Sequence, residues 1–240
     1  MGNLTPEHNA ILGTNPILGS NAMQGTNARP TLAEQLCATI NGLHQRGWCD
    51  GTGGNFSCVL SKEPRQLLMA PSGHHKCDLQ PGELIVVDGS GQVIEGDGRA
   101  SAETLLHLEI VDQTNAGAVL HTHSQAATLL SSHYQACGEL LLQDLEMLKG
   151  LEGIRSHTTR ISIPVLPNDQ DLARLSKTAR PRLGEAPYGL LIGGHGLYGW
   201  GSDLLQARRH IEILEFLLEQ HWRALMFRAL LGEPQPIQTP

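Results

Sequence analysis

Five apolar residues, Ala-Gly-Ala-Val-Leu at 116–120, run directly into His121-Thr122-His123, and no other stretch constrains the fold as much. The run is short and reads as a buried strand. Side chains alternate along a strand, so His121 and His123 leave its C-terminal end on the same side. Two imidazoles side by side on a rigid element form half of a metal site, of the kind favoured by Zn²⁺ and its borderline-soft neighbours.

The surrounding chain suits one large domain. It has 240 residues and a net charge of −7, with no cluster of Lys or Arg, which argues against a nucleic-acid surface. No apolar run is long enough to span a membrane. The N-terminus shows no basic start followed by an apolar stretch, so no signal peptide is expected. Cys37, Cys49, Cys58, Cys77 and Cys137 are odd in number and scattered, which predicts reduced thiols in a cytoplasmic protein. Residues 1–29 and 233–240 lack hydrophobic period and read as loose tails around a domain at 30–232.

Within that domain Leu32, Leu36, Ile40 and Leu43 recur at helical spacing. Strands are expected at 55–60, 67–70, 84–88, 92–95, 161–165 and 190–192, with a hairpin turn at Asp88-Gly89-Ser90-Gly91. Ser101 is placed to cap a helix that runs to about Gln113, with Glu103 in its first turn and His107 one turn later. A helix should leave the His-bearing strand over 124–130, a short helical turn should occupy 145–149, and a long helix 203–231. Short strands mixed with helices predict a three-layer α/β/α domain around a largely antiparallel sheet.

A third metal ligand is expected at His195, in Gly193-Gly194-His195-Gly196, where flanking glycines let other groups approach the ring. Three histidines leave a coordination position open, the arrangement of a catalytic rather than a structural metal. Three small-residue segments precede the ligands: Gly53-Gly54-Asn55-Phe56-Ser57, Pro71-Ser72-Gly73 and Ser101-Ala102-Glu103. Their hydroxyls and unhindered N–H groups suggest a phosphate or other anionic head group. Glu103 and Glu146 are the two notable carboxylates, and the local pattern promotes neither. His74 and His75 are adjacent, point apart on extended chain and read as loop residues, while His210 and His221 read as surface or packing residues.

In this order, Gly-Gly-Asn-Phe-Ser, Pro-Ser-Gly, Ser-Ala-Glu, His-Thr-His-Ser and a late Gly-His-Gly, the motifs resemble the class II aldolase/adducin family over about residues 31–218. Glu-Met-Leu-Lys-Gly at 146–150 and His-Gly-Leu-Tyr-Gly-Trp-Gly at 195–201 are most similar to members that dehydrate 5-methylthioribulose 1-phosphate in methionine salvage. The resemblance implies an α/β/α fold, one zinc ion held by His121, His123 and His195, and a homotetramer. It also implies phosphate binding by Asn55, Ser72, Gly73 and Ser101. In the family's aldolases the position of Glu103 is the acid/base, whereas in its dehydratases that role falls to the position of Glu146. The dehydratase reading with Glu146 is preferred here. The alternatives are an aldolase or 4-epimerase for another sugar phosphate, working through Glu103, and an adducin-like scaffold, which would have no need of three histidines.

Overall fold

A computed structural model describes residues 30–232, so both expected tails lie outside the described residues. Nine strands form one sheet in the order β4-β3-β2-β1-β5-β9-β8-β7-β6. They are β1 (Asn55–Lys62), β2 (Arg65–Met69), β3 (Ile85–Asp88), β4 (Val93–Glu95), β5 (Ala118–Thr122), β6 (Glu139–Leu142), β7 (Ile161–Leu166), β8 (Gly189–Ile192) and β9 (Gly196–Gly201). Neighbours are antiparallel except for β7 with β8.

Alternation along the strands sends apolar side chains to both faces and creates two cores. On one face Phe56, Cys58, Leu68, Leu120 and Leu191 pack with α1 (Leu32–Gln45), α3 (Gln125–Tyr134) and α5 (Leu204–Leu230). On the other face Leu67, Met69, Val87, Val119, Leu190 and Tyr198 pack with α2 (Thr104–Thr114) and α4 (Leu172–Leu183). This is the predicted three-layer α/β/α arrangement. All five cysteines are free thiols, and no helix among the described residues is long and apolar enough to cross a membrane.

Four of the helices and strands depart from the sequence expectation or escape it, the edge strand β6 among them. The first is α2, which starts at Thr104 with Glu103 as its helical-angled cap; Ser101 makes the turn before it, its Oγ accepting from the Glu103 N–H at 3.2 Å. Glu103 therefore stands outside the helix, with its carboxylate free to face elsewhere. The second is α4, absent from the expected elements although Asp171 caps it and Leu175, Ala179 and Leu183 recur at helical spacing on its buried face; Pro181 near its end argues against a helix by propensity. The third is β9, Gly-Leu-Tyr-Gly-Trp-Gly, whose glycines argue against a strand by propensity. Packing reverses that preference. A Cβ at Gly196 would lie 2.1 Å from the Thr122 carbonyl, at Gly199 2.7 Å from Ile211, and at Gly201 2.5 Å from the Ala207 nitrogen. The glycines let α5 and β5 close against β9, the strand that brings His195 to His121.

Candidate metal centre and active site

His121 lies near the end of β5 on the α2 face, paired across the sheet with Tyr198 of β9. His123 follows one residue beyond the strand, its N–H held by the Trp48 carbonyl at 2.7 Å. His195 sits in the tight turn between β8 and β9. The His123 Nε2 lies 2.7 Å and the His195 Nε2 3.4 Å from the His121 Nε2. Ligand atoms of all three histidines fall within 4.8 Å of one another.

His121 Nδ1 is 2.9 Å from the Leu197 carbonyl, an acceptor, so the ring proton sits on Nδ1 and the Nε2 lone pair faces its neighbours. Burial, reinforced by the charges that His123 and His195 would carry, holds His121 well below the usual histidine range. Burial and then His195 bring His123 to about 4. His121 and His123 are thus neutral, and with His195 they converge by Nε2, the donor set that a borderline divalent cation takes, with room for a further ligand.

A half-buried carboxylate completes the group. Glu103 Oε1 lies 3.3 Å from His195 Nε2, and Glu103 Oε2 3.6 Å from His121 Nε2. Asn55, which opens β1 directly opposite His121, donates its amide to Oε2. Tyr198 donates its hydroxyl to the same oxygen at 3.0 Å. Behind Tyr198 the fully buried His107 meets it edge-on and pairs through Nδ1 with Ser57 Oγ at 2.8 Å; burial lowers His107 to about 3, so it stays neutral.

The remaining predicted residues divide. Ser72 and Ser101 line one cleft of about 830 Å³ along with Arg99, and Ser101 stands two residues from Glu103. Gly73 is the exposed, positive-φ residue of the Ser72 turn. Glu146 begins a 3₁₀ turn (Glu146–Gly150), its exposed carboxylate paired with Lys149 and lowered by that lysine's hydrogen bond. It touches none of the three histidines. The structure thus brings Asn55, Glu103, His121, His123 and His195 together and leaves Glu146 apart. His74 and His75 lie in a loop, as read. His210 is buried against the Trp200 carbonyl at 2.7 Å, and His221 pairs with the Tyr134 hydroxyl at 2.9 Å.

Sequence reasoning missed three residues at or around this centre. Tyr198 became visible only once β9 was a strand in register with β5. Glu215 of α5 lies on the opposite face, where it is fully buried and accepts from the hydroxyl of Thr122, the residue between the two strand-end histidines. Lys76 is buried three residues beyond Gly73; a lysine in a loop carries no sequence signal of burial.

Three convergent imidazoles beside a carboxylate, on a three-layer α/β/α fold, could hold a metal ion. Residues 34–222 match the model of the Class II Aldolase and Adducin N-terminal domain, and the chain belongs to that family. Methylthioribulose-1-phosphate dehydratase of Azotobacter vinelandii is 41% identical over 207 residues, covering 85% of this chain and 98% of the relative. The enzyme of the same name from Methylococcus capsulatus is 41% identical over 196 residues, covering 80% and 94%. Among solved structures, L-fuculose-1-phosphate aldolase from Thermus thermophilus superposes with a TM-score of 0.67 at 25% identity, covering 82% of this chain and 97% of its own. Another L-fuculose 1-phosphate aldolase gives 0.68 at 23% identity over 89% and 92%, a likeness of fold.

Proposed function

We propose that the chain is a hydro-lyase that converts 5-methylthioribulose 1-phosphate to 2,3-diketo-5-methylthiopentyl 1-phosphate in methionine salvage, working in the cytoplasm as a homotetramer with one zinc ion per subunit. The observation that carries this is the convergence of three imidazole nitrogens beside one half-buried carboxylate, in a chain whose relatives bear the name of that dehydratase.

The reaction breaks the C3–H and C4–O bonds, forms a C3–C4 double bond and releases water; the enol left at C3 then ketonises. Zinc, held by the Nε2 atoms of His121, His123 and His195, would act as a Lewis acid toward the C2 carbonyl and so ease loss of the C3 proton. Asn55, Ser72, Gly73 and Ser101 would hold the phosphate end and fix the C3–C4 bond relative to the proton carrier. A carboxylate carrying that proton is typically worth about 10²–10⁴-fold.

The two candidate carboxylates differ in reach. Glu103 lies at the histidines of its own chain, fixed by Asn55 and Tyr198. Glu146 is exposed, so it would act on the centre of a neighbouring subunit. We assign the proton transfer to Glu146 across such a boundary and the positioning of the substrate hydroxyls to Glu103. The Glu146 role then requires an oligomer. The aldolase reading, with Glu103 as acid/base, draws its support from the placement of Glu103 at the centre. Incubation of the purified protein with 5-methylthioribulose 1-phosphate and with L-fuculose 1-phosphate separates the two. Diketone formation from the first alone is expected. Cleavage of the second without dehydration of the first would overturn the assignment.

A further inference from the structure

Lys76 is one of the largest fully buried side chains, 2% exposed. Its Nζ donates to the His74 carbonyl at 3.0 Å, and among the described residues it has no carboxylate partner. An ammonium has three protons to place, and a buried charge left unpaired costs several kcal/mol. Burial pulls Lys76 below the usual lysine range, and its charge is felt at His123. The main chain locates it more closely. Lys76 leaves the loop that carries Ser72 and Gly73, and its N–H bonds the Gly51 carbonyl at 3.2 Å, joining that loop to the glycine segment leading to Asn55. Gly53 of that segment is so near His123 that a Cβ there would lie 3.3 Å from Nδ1. The main chain of Lys76 thus joins the two expected phosphate loops, and its charge is felt at the buried Cys49 as well as at His123. Asn55, Ser72, Gly73 and Ser101 bring no positive charge. Arg99, on the Ser72 cleft, is exposed to water and needs no counter-charge.

We infer that Lys76 is a buried cation kept for an incoming phosphate monoester, and that it supplies the positive charge of the phosphate subsite. The inference builds on the sugar-phosphate reading above. In a 2-ketose 1-phosphate only C1 and one bridging oxygen separate phosphorus from the carbonyl carbon, so a cation close to the metal ligands can reach the phosphate. The ester supplies the acceptors that the fold leaves out.

Inorganic phosphate is the probe, titrated by calorimetry into the metal-loaded protein. A hydrogen bond to a charged group is worth about 1.5–3 kcal/mol, so Lys76→Met should weaken phosphate binding about 10- to 100-fold. Lys76→Arg should stay within a few-fold of wild type and Arg99→Gln should weaken binding less than Lys76→Met does. Metal content should be unaffected throughout. Lys76→Met removes an uncompensated charge at similar volume, so its melting temperature should not fall. A variant-free measurement guards against misfolding: in ¹³C-lysine-labelled wild type, the buried lysine ε-methylene resonance should move as phosphate saturates. No phosphate binding by wild type, equal binding by Lys76→Met, loss in Arg99→Gln instead, or an unmoved resonance would each overturn the inference. So would a collapse of kcat in Lys76→Met with phosphate affinity and KM unchanged, which would put Lys76 at the reacting end. If wild type turns over neither sugar phosphate yet binds phosphate through Lys76, the proposed reaction fails and this inference stands. If it dehydrates methylthioribulose 1-phosphate with a Lys76-independent KM, the reverse holds.

Discussion

The Tyr198 ring lies parallel to the His121 imidazole, 3.8 Å between centroids and 10° from coplanar, while its hydroxyl donates to Glu103 at 3.0 Å. One side chain therefore orients both His121, one of the three convergent imidazoles, and the carboxylate beside them. The cross-strand pairing of β5 with β9 sets up the stack, and the residue is fully buried. Burial and the neighbouring Glu103 hold its phenol well above the usual range, so it remains a donor. Tyr198→Phe keeps the stack and removes the donor. It should retain metal while kcat/KM falls several-fold to tenfold, near the roughly 1 kcal/mol of one hydrogen bond. Tyr198→Leu removes the stack as well and should weaken metal binding about 10-fold or more, as loss of a ligand's supporting partner does. Equal metal affinity in all three proteins, measured by chelator competition, would leave the stack without a role.

His121→Ala and His195→Ala should each lose the bound metal by elemental analysis of purified protein, because each removes one of three converging Nε2 donors. His74→Ala, altering a loop histidine outside the trio, should keep it. Full retention of metal by His195→Ala would take that residue out of the site.

Glu146→Gln and Glu103→Gln separate the two carboxylates. With proton transfer at Glu146, its glutamine variant should bind metal and substrate normally while kcat falls about 100-fold or more. Glu103→Gln should act mainly on KM. Because Glu146 would serve a neighbouring subunit, mixing inactive Glu146→Gln with inactive His121→Ala under conditions of subunit exchange should restore part of the activity. Normal turnover by Glu146→Gln beside a dead Glu103→Gln would instead establish the aldolase-type arrangement.

Glu215 should leave a signature in pH-dependent stability. Burial raises its carboxyl from 4.5 to about 7, against the lowering effect of the Ser124 and Thr122 hydroxyls. The folded chain therefore holds this proton more tightly than the unfolded chain, and the group's contribution to stability is present below about pH 4.5 and lost as pH rises through about 7. With both proteins metal-free, Glu215→Gln should gain on wild type across that window, by up to about 3 kcal/mol above it, at about 1.4 kcal/mol per pKa unit. A difference in denaturant midpoint between variant and wild type that stays constant from pH 5 to pH 8 would show that the buried carboxyl titrates normally.

What the sequence by itself determined lies close along the chain. Strand alternation places His121 and His123 on one side, as the 2.7 Å between their Nε2 atoms reflects. The apolar period of α1 and α5 and the turn at Asp88 follow from local pattern in the same way. The mix of short strands and helices predicted the layer architecture and the glycine-flanked His195 the third histidine, and a family resemblance carried by ordered short motifs implied both again. Only tertiary structure decided the rest, because it depends on pairings between distant segments. β9 is a strand only where glycine lets α5 and β5 close upon it, and without β9 nothing places Tyr198 on His121. Glu103 and Glu146 look alike locally as carboxylates near helical turns, yet folding carries one to the histidines and leaves the other in solvent. Lys76 is buried, with no carboxylate partner among the described residues, through the docking of two loops, which no local pattern of residues encodes.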